Sequence, residues 1–235
     1  MAQSPKTLLA IGAHAGDMEV SCGAVLAKHA AAGDRVVLLH LTLGEGGNPA
    51  LSPHTYGEQK RREAQEVGRA IGASVLFGPY RDGEIPDTEE SRNYVAEQIR
   101  QVRPTHIITH WRNSIHRDHT RTHRIVTEAV LLASLEAVAT GSPRHRGVTA
   151  IIFTENWEDP EGFTPYLFVD VTGAMERWKS FIIGYGFVTG GISPFPYLEY
   201  YEALARVRGA VVGRQYCVAF DVDPFEKRHT LEFLP

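Results

Sequence analysis

His14 and Asp17 lie three residues apart in the segment Ala13-His14-Ala15-Gly16-Asp17-Met18-Glu19. Imidazole nitrogen and carboxylate oxygen are both good donors to a borderline divalent cation such as zinc. The pair also has an ordinary explanation, in which Gly16 shapes a turn and Asp17 or Ser21 caps the next helix, but that leaves His14 unexplained. A second concentration of donors comes later: His106, His110, His116, His119 and His123 put five of the eleven histidines into residues 106–123. In a helix starting near Asp118, His116 and His119 share a face at its start, and His119 and His123 are spaced i, i+4. Arg112, Arg117, Arg121 and Arg124 are interleaved with them, so some of these histidines belong to a solvated basic face. Two histidines and one carboxylate leave one position of a tetrahedral ion open, as catalytic rather than structural zinc sites do. The open position holds water, whose pKa falls from 15.7 to about 7, and the ion polarises a carbonyl; amide hydrolysis follows from that chemistry. Ferrous iron tolerates the same donors.

An alternation of strands and helices is what would bring these residues together. Thr7–Ala13 is a short apolar run followed by a helical pattern over Val20–Ala32, and Gly33-Asp34 turns the chain into the β-branched and Leu-rich run Arg35–Thr42. That is a βαβ unit with buried parallel strands. The pattern continues with a helix over Glu58–Ile71, a strand over Ser74–Phe77, a helix over Glu89–Val102 and a strand over Thr105–His110. It predicts an α/β fold, a Rossmann-like three-layer sandwich with a mostly parallel central sheet, whose ligands bind beyond the carboxyl ends of the strands. Gly184–Pro196, rich in Gly, Pro and aromatics, reads as a structured loop and a candidate lid.

With 235 residues, 43% of them apolar, the chain can bury one sizeable core, and residues 1–235 are expected to form a single domain. A net charge of −4 gives no electrostatic reason to bind nucleic acid or an anionic membrane, which leaves a small-molecule substrate as the expected partner. Cys22 and Cys217 are too few and too far apart for a disulfide framework or a thiolate cluster, as in a reducing cytoplasm. Neither a cleaved leader nor a membrane span is expected. The apolar and aromatic stretches Phe181–Phe195 and Tyr197–Tyr201 would suit a lid or a homo-oligomer interface.

The quoted residues resemble the LmbE/PIG-L family of zinc-dependent N-deacetylases, which includes enzymes acting on N-acetylglucosamine conjugates. The likeness rests on Ala13–Glu19, Thr42-Leu-Gly-Glu-Gly46, Arg62-Glu63, Asp82-Gly83 and His116-Arg-Asp-His119, with weaker echoes in Glu155–Asp159, Val169–Thr172 and Tyr200–Gly209. The resemblance implies that His14, Asp17 and His119 hold the metal. It also implies that His116 stabilises the oxyanion or protonates the leaving amine, with Asp118 orienting His116 and keeping it protonated. Arg62 and Asp82 would bind substrate or organise the site. Two departures stand out. The family motif Ala-His-Pro-Asp-Asp places its general base where this chain has Gly16, and many relatives carry Glu where it has Val218. Loss of a general base typically costs about 10²–10⁴-fold. Glu45, on the loop after the second strand, is the preferred replacement, ahead of Glu19 and Asp118. The expected activity is removal of an N-acyl group, acetyl first, from an amino sugar or a related small polar amide. Two alternatives stay open: a metal-binding, ligand-sensing homologue without turnover, and a metal enzyme of another reaction type.

Overall fold

A computed structural model describes residues 5–227 except 139 and 160. Its centre is a seven-stranded sheet in the order β3-β2-β1-β4-β5-β7-β6. The strands are β1 (Thr7–Gly12), β2 (Arg35–His40), β3 (Ala73–Phe77), β4 (His106–His110), β5 (Ala150–Thr154), β6 (Leu167–Asp170) and β7 (Cys217–Val222). β1 to β5 pair in parallel, and β7 runs antiparallel to both of its neighbours. The helices are α1 (Asp17–Ala31), α2 (Pro53–Ile71), α3 (Glu89–Val102), α4 (Arg117–Ser134), α5 (Met175–Ile182) and α6 (Tyr197–Val211).

Alternate side chains of the central strands enter opposite cores, as the twofold repeat of a strand requires. Leu8, Ala10 and Leu38 face a core shared with Met18, Leu26, Val67, Trp178 and Tyr201 of α1, α2, α5 and α6. Leu9, Ile11, Val37 and Leu39 face the core closed by Val95, Ile99, Ile125 and Val126 of α3 and α4. Each such fully buried aliphatic side chain contributes about 1.5–3 kcal/mol relative to exposure. Both faces being covered explains why β1 and β2 read as unbroken apolar runs rather than alternating ones.

Local signals set the helix starts. Ser52 caps α2 by accepting from the Thr55 amide, with Pro53 at the first helical position. Thr88 and Ser91 form a capping box on α3. α2 therefore starts five residues before the expected Glu58, at the Ser-Pro pair. The chain runs outward from β1 through β2 to β3 and then returns to β4 on the other side of β1, so the topological switch lies between β1 and β4. A crevice at that switch is where such sheets bind ligands. No helix among the described residues is long and apolar enough to cross a membrane.

Candidate functional site

Five strand ends converge on that crevice. His14 follows β1 and Asp17 opens α1; Glu45 follows β2, Asp82 follows β3, and Glu158 follows β5. β4 ends at His110, and the loop beyond it delivers His116 as the N-cap of α4 and His119 to its first turn. His14, Asp17, Lys60, Asp82, His116, His119 and Glu158 line a cavity of about 240 Å³. A second cavity of about 580 Å³, lined by Glu45, His54, Arg81 and Asp82, adjoins it through Asp82.

Three donor atoms form a nearly equilateral triangle. His14 Nδ1 lies 3.2 Å from Asp17 Oδ2, His119 Nε2 lies 3.4 Å from Asp17 Oδ2, and the two imidazole nitrogens are 3.3 Å apart. A tetrahedral ion with donor distances of about 2.0–2.1 Å has donor-to-donor edges of about 3.3–3.4 Å, so these atoms match one face of its coordination shell. Each ring also has a carboxylate at its far nitrogen. His14 Nε2 lies 3.1 Å from Asp82 Oδ1 and 3.7 Å from Asp118 Oδ2, within ion-pair range though out of line for a hydrogen bond. His119 Nδ1 lies 3.3 Å from Glu158 Oε2. The donor set can hold a metal.

The protonation of the cluster follows from its charges. Burial opposes a charged His14, but Asp17, with Asp118 and Asp82, outweighs it and raises the imidazole well above its ordinary value. Burial likewise opposes the Asp17 carboxylate, and His14 and His119 hold it well below the usual range. His119 is pushed down to about 3 by burial and by His110 beside it, so it is neutral, whereas His14 would have to give up its proton to hold an ion. The His110 ring stacks on His119 at 4.0 Å and accepts the Ala13 amide at Nε2, 2.9 Å away. His110 thus braces His119 and ties β4 to the His14 loop.

The family model for PIG-L, the GlcNAc-PI de-N-acetylases, matches residues 9–130, more than half of the chain. The chain belongs to the PIG-L family. It is similar to a 1D-myo-inositol 2-acetamido-2-deoxy-alpha-D-glucopyranoside deacetylase of Thermomonospora curvata, with 31% identity over 173 residues, 61% of this chain. That stretch spans 58% of the relative's own length. Among solved structures, it is similar to the N,N'-diacetylchitobiose deacetylase of Pyrococcus horikoshii (TM-score 0.82, 22% identity, 97% of this chain and 87% of that one). It is equally similar to the 4-carboxy-2-hydroxymuconate hydratase of Pseudomonas putida KT2440 (TM-score 0.82, 20% identity, 98% and 100%). At those identities the two structures show a shared fold.

This PIG-L chain differs from the family motif at Gly16, and the structure shows what fills the space. Gly16 has φ of 108°, a conformation that L side chains rarely adopt. A Cβ there would meet Phe187 Cζ at 2.7 Å and Lys60 Nζ at 3.5 Å. Lys60 is 4% exposed; its ammonium donates to the Ala15 carbonyl and lies 4.1 Å from the Phe187 ring centroid. Burial pushes Lys60 down to about 8, against the pull of Asp17 and Glu63. Phe187 comes from the loop after α5, which also brings Ile192 and Ser193 to the cavity and is tied to α2 where the Gly186 amide donates to Glu63.

The expected Arg62 contact is not what the helix delivers. Arg62 is exposed, and two residues along an α-helix rotate about 200°, so Lys60 faces the cleft and Arg62 faces away from it. Asp82 is in the cleft, where it backs His14 and accepts the Gly46 amide at 3.0 Å. Glu45 Oε1 accepts the Asp82 amide at 3.0 Å, while its Oε2 is buried without a hydrogen-bond partner among the described residues. Val218 lies on β7 beside Cys217 and Ala219, lining a different, smaller pocket. Tyr56, Phe187 and Tyr197 line the cavity, whereas Trp111 is buried against Phe153 and Phe163.

The pairing of Asp118 with His116 also differs from expectation. The Asp118 carboxylate accepts the Gly83 amide at 2.7 Å and faces His14, while His116 Nδ1 accepts the backbone amide of Asp118 at 3.3 Å. Burial and the neighbouring His14 lower the His116 pKa instead of raising it. An imidazole at a helix N-terminus is disfavoured as a cation, as in other enzymes that use neutral histidine as an electrophile. With Nδ1 accepting, Nε2 carries the proton. Glu158 and Lys60 are the cleft residues that the sequence reading missed. For Lys60 a signal existed: Tyr56, Lys60, Ala64, Val67 and Ile71 form the buried stripe of α2, and Lys60 is the charge within it.

Proposed function

We propose that this chain is a zinc-dependent N-deacetylase of an N-acetylated amino sugar or a related small polar amide. The observation that carries the reading is the triangle of His14 Nδ1, Asp17 Oδ2 and His119 Nε2, with edges of 3.2, 3.4 and 3.3 Å. Membership of the PIG-L family and the deacetylase named for the Thermomonospora curvata relative support the choice of reaction. Two buried free cysteines, Cys22 and Cys217, fit a cytoplasmic setting.

In this reading His14, Asp17 and His119 hold zinc, which when bound lowers the pKa of water and polarises the amide carbonyl. Gly16 offers no proton acceptor, and Glu45 takes that role. Its Oε1 accepts the Asp82 amide, its Oε2 is buried without a hydrogen-bond partner among the described residues, and it lines the cavity that adjoins that of His14 and His119 through Asp82. His116 donates a hydrogen bond from Nε2 to the oxygen that gains charge as water attacks, and the proton that Glu45 takes from the water passes to the departing amine. As a neutral donor it does not compete with a cation for the site. Asp82 and Asp118 keep His14 in place, and Tyr197 with the loop around Phe187 encloses the acyl group.

Amine release from N-acetylglucosamine derivatives by native protein and by Glu45→Gln, with zinc content measured in both, tests this. The reading requires turnover in the native protein and its loss in Glu45→Gln with zinc retained.

A further inference from the structure

Glu158 has no part in the proton transfers above, yet its backbone is fixed on both sides. Its amide donates to Asn156 Oδ1 at 3.2 Å, and that oxygen also accepts the Tyr201 hydroxyl at 3.1 Å. Its carbonyl accepts from the Ile115 amide at 2.9 Å and from Ser114 Oγ at 3.2 Å. The loop after β5 is thereby stitched to the loop that carries His116 and His119. From this anchored position the side chain turns back toward α4 and brings Oε2 to 3.3 Å from His119 Nδ1, within ion-pair range though out of line for a hydrogen bond. No Lys or Arg among the described residues lies within ion-pair distance of it.

We propose that Glu158 is a positioning residue for His119, fixing the tautomer that leaves Nε2 bare toward Asp17 and His14 and so setting the affinity of the site for a divalent cation. A neutral imidazole carries its proton on one nitrogen only, and the tautomer protonated at Nε2 has no lone pair to offer there. An ionised carboxylate 3.3 Å from Nδ1 favours the proton on that side by its charge. Ser114 Oγ, 3.4 Å from the same nitrogen, spends its one proton on the Glu158 carbonyl and so can only accept from Nδ1, which supports the same tautomer. Outer carboxylates of this kind are typically worth about 10–100-fold in metal affinity. The inference rests on the reading of His119 as a ligand, not on the reaction catalysed.

The test is zinc titration against a chromophoric chelator, on the full-length protein and on Glu158→Ala, Glu158→Gln and His119→Ala. Ring ¹⁵N spectra of the metal-free proteins report the tautomer. Glu158→Ala is expected to bind zinc about 10–100-fold more weakly. Its His119 should shift from protonation at Nδ1 to a mixture, with the unfolding midpoint of the metal-free protein unchanged. Glu158→Gln, whose amide oxygen still accepts, is expected to recover part of the affinity. Native affinity in Glu158→Ala, or an unchanged His119 spectrum, overturns the inference while leaving His119 a ligand. Native affinity in His119→Ala overturns the ligand reading and this inference with it.

Discussion

The ring of Phe187 occupies the space into which a side chain at Gly16 would project: a Cβ on Gly16 would meet Phe187 Cζ at 2.7 Å. The glycine is therefore built into the site, and the loop after α5 fills the space beside it.

Putting the carboxylate back is expected to fail. Gly16→Asp must hold an L residue at φ of 108°, a strain of about 1–3 kcal/mol before the contact with Phe187 is counted. For a chain of this size each kcal/mol lowers Tm by roughly 2–4 °C. Thermal unfolding should show a loss at the upper end of that range or beyond, without a gain in amine release. Because the two residues touch, the double variant Gly16→Asp/Phe187→Ala should lose less stability than the sum of the single ones. Additive losses would show that Phe187 is not the obstacle.

His116 is expected to act as a neutral donor. Its pKa is lowered by burial and by His14, so the deprotonated form prevails above the ordinary value of 6.5. The kcat of the native protein should then hold steady or rise from pH 6.5 to 8. His116→Ala should lower kcat by about 10²–10³-fold, the usual effect of removing one oxyanion donor. A kcat that falls with a pKa near 7, in the native protein alone, would mean that His116 works as the imidazolium.

Asp159 adds a pH dependence of stability. Burial pushes its carboxyl up from 3.8 to about 7, and Oδ1 is buried without a hydrogen-bond partner among the described residues. A raised carboxyl binds its proton more tightly in the folded state. Its contribution is therefore fully present below the unfolded value near 4 and is lost as pH rises through about 7. Relative to Asp159→Asn, the native protein should lose stability between pH 5 and 8 in denaturant titrations. A difference independent of pH would place the Asp159 carboxyl in water.

Lys60 holds the floor of the cleft through the Ala15 carbonyl and the Phe187 ring. Lys60→Met keeps the length of the side chain and removes the charge. It is expected to release the loop around Phe187 and raise KM more than it lowers kcat, because Lys60 touches none of the three donor atoms. Lys60→Arg, too long for a site with 4% exposure, should not rescue it. A drop in kcat alone, with KM unchanged, would assign Lys60 to the chemical step.

The parts of this molecule legible in its sequence are those where one local rule governs. β1 and β2 are covered on both faces, so their residues are uniformly apolar, and α3 begins and ends where its pattern says, at Glu89 and Val102. His14, Asp17 and His119 stood out because strand-end loops concentrate donors at the switch between β1 and β4. The second half was harder to read. β7 runs antiparallel between β5 and β6, and that pairing leaves no alternation of strand and helix to follow. Glu158 was hidden for a related reason: its link to His119 depends on two loops stitched by Ser114, Ile115 and Asn156, which no spacing along the chain encodes. The motif points to Arg62, while the period of α2 places Lys60 inward. The Asp118 carboxylate was expected at His116, but the helix start gives His116 the backbone amide and turns the carboxylate toward Gly83 and His14.

The decisive question is whether a zinc ion held by His14, Asp17 and His119 supports amide cleavage. The direct measurement is elemental analysis of purified protein together with amine release from N-acetylated amino sugars, for the native chain and for His119→Ala. The account predicts stoichiometric zinc and turnover in the native protein, both lost in His119→Ala. Zinc retained at native stoichiometry in His119→Ala, or a zinc-loaded native protein that releases no amine from any N-acetylated amino sugar, would contradict it.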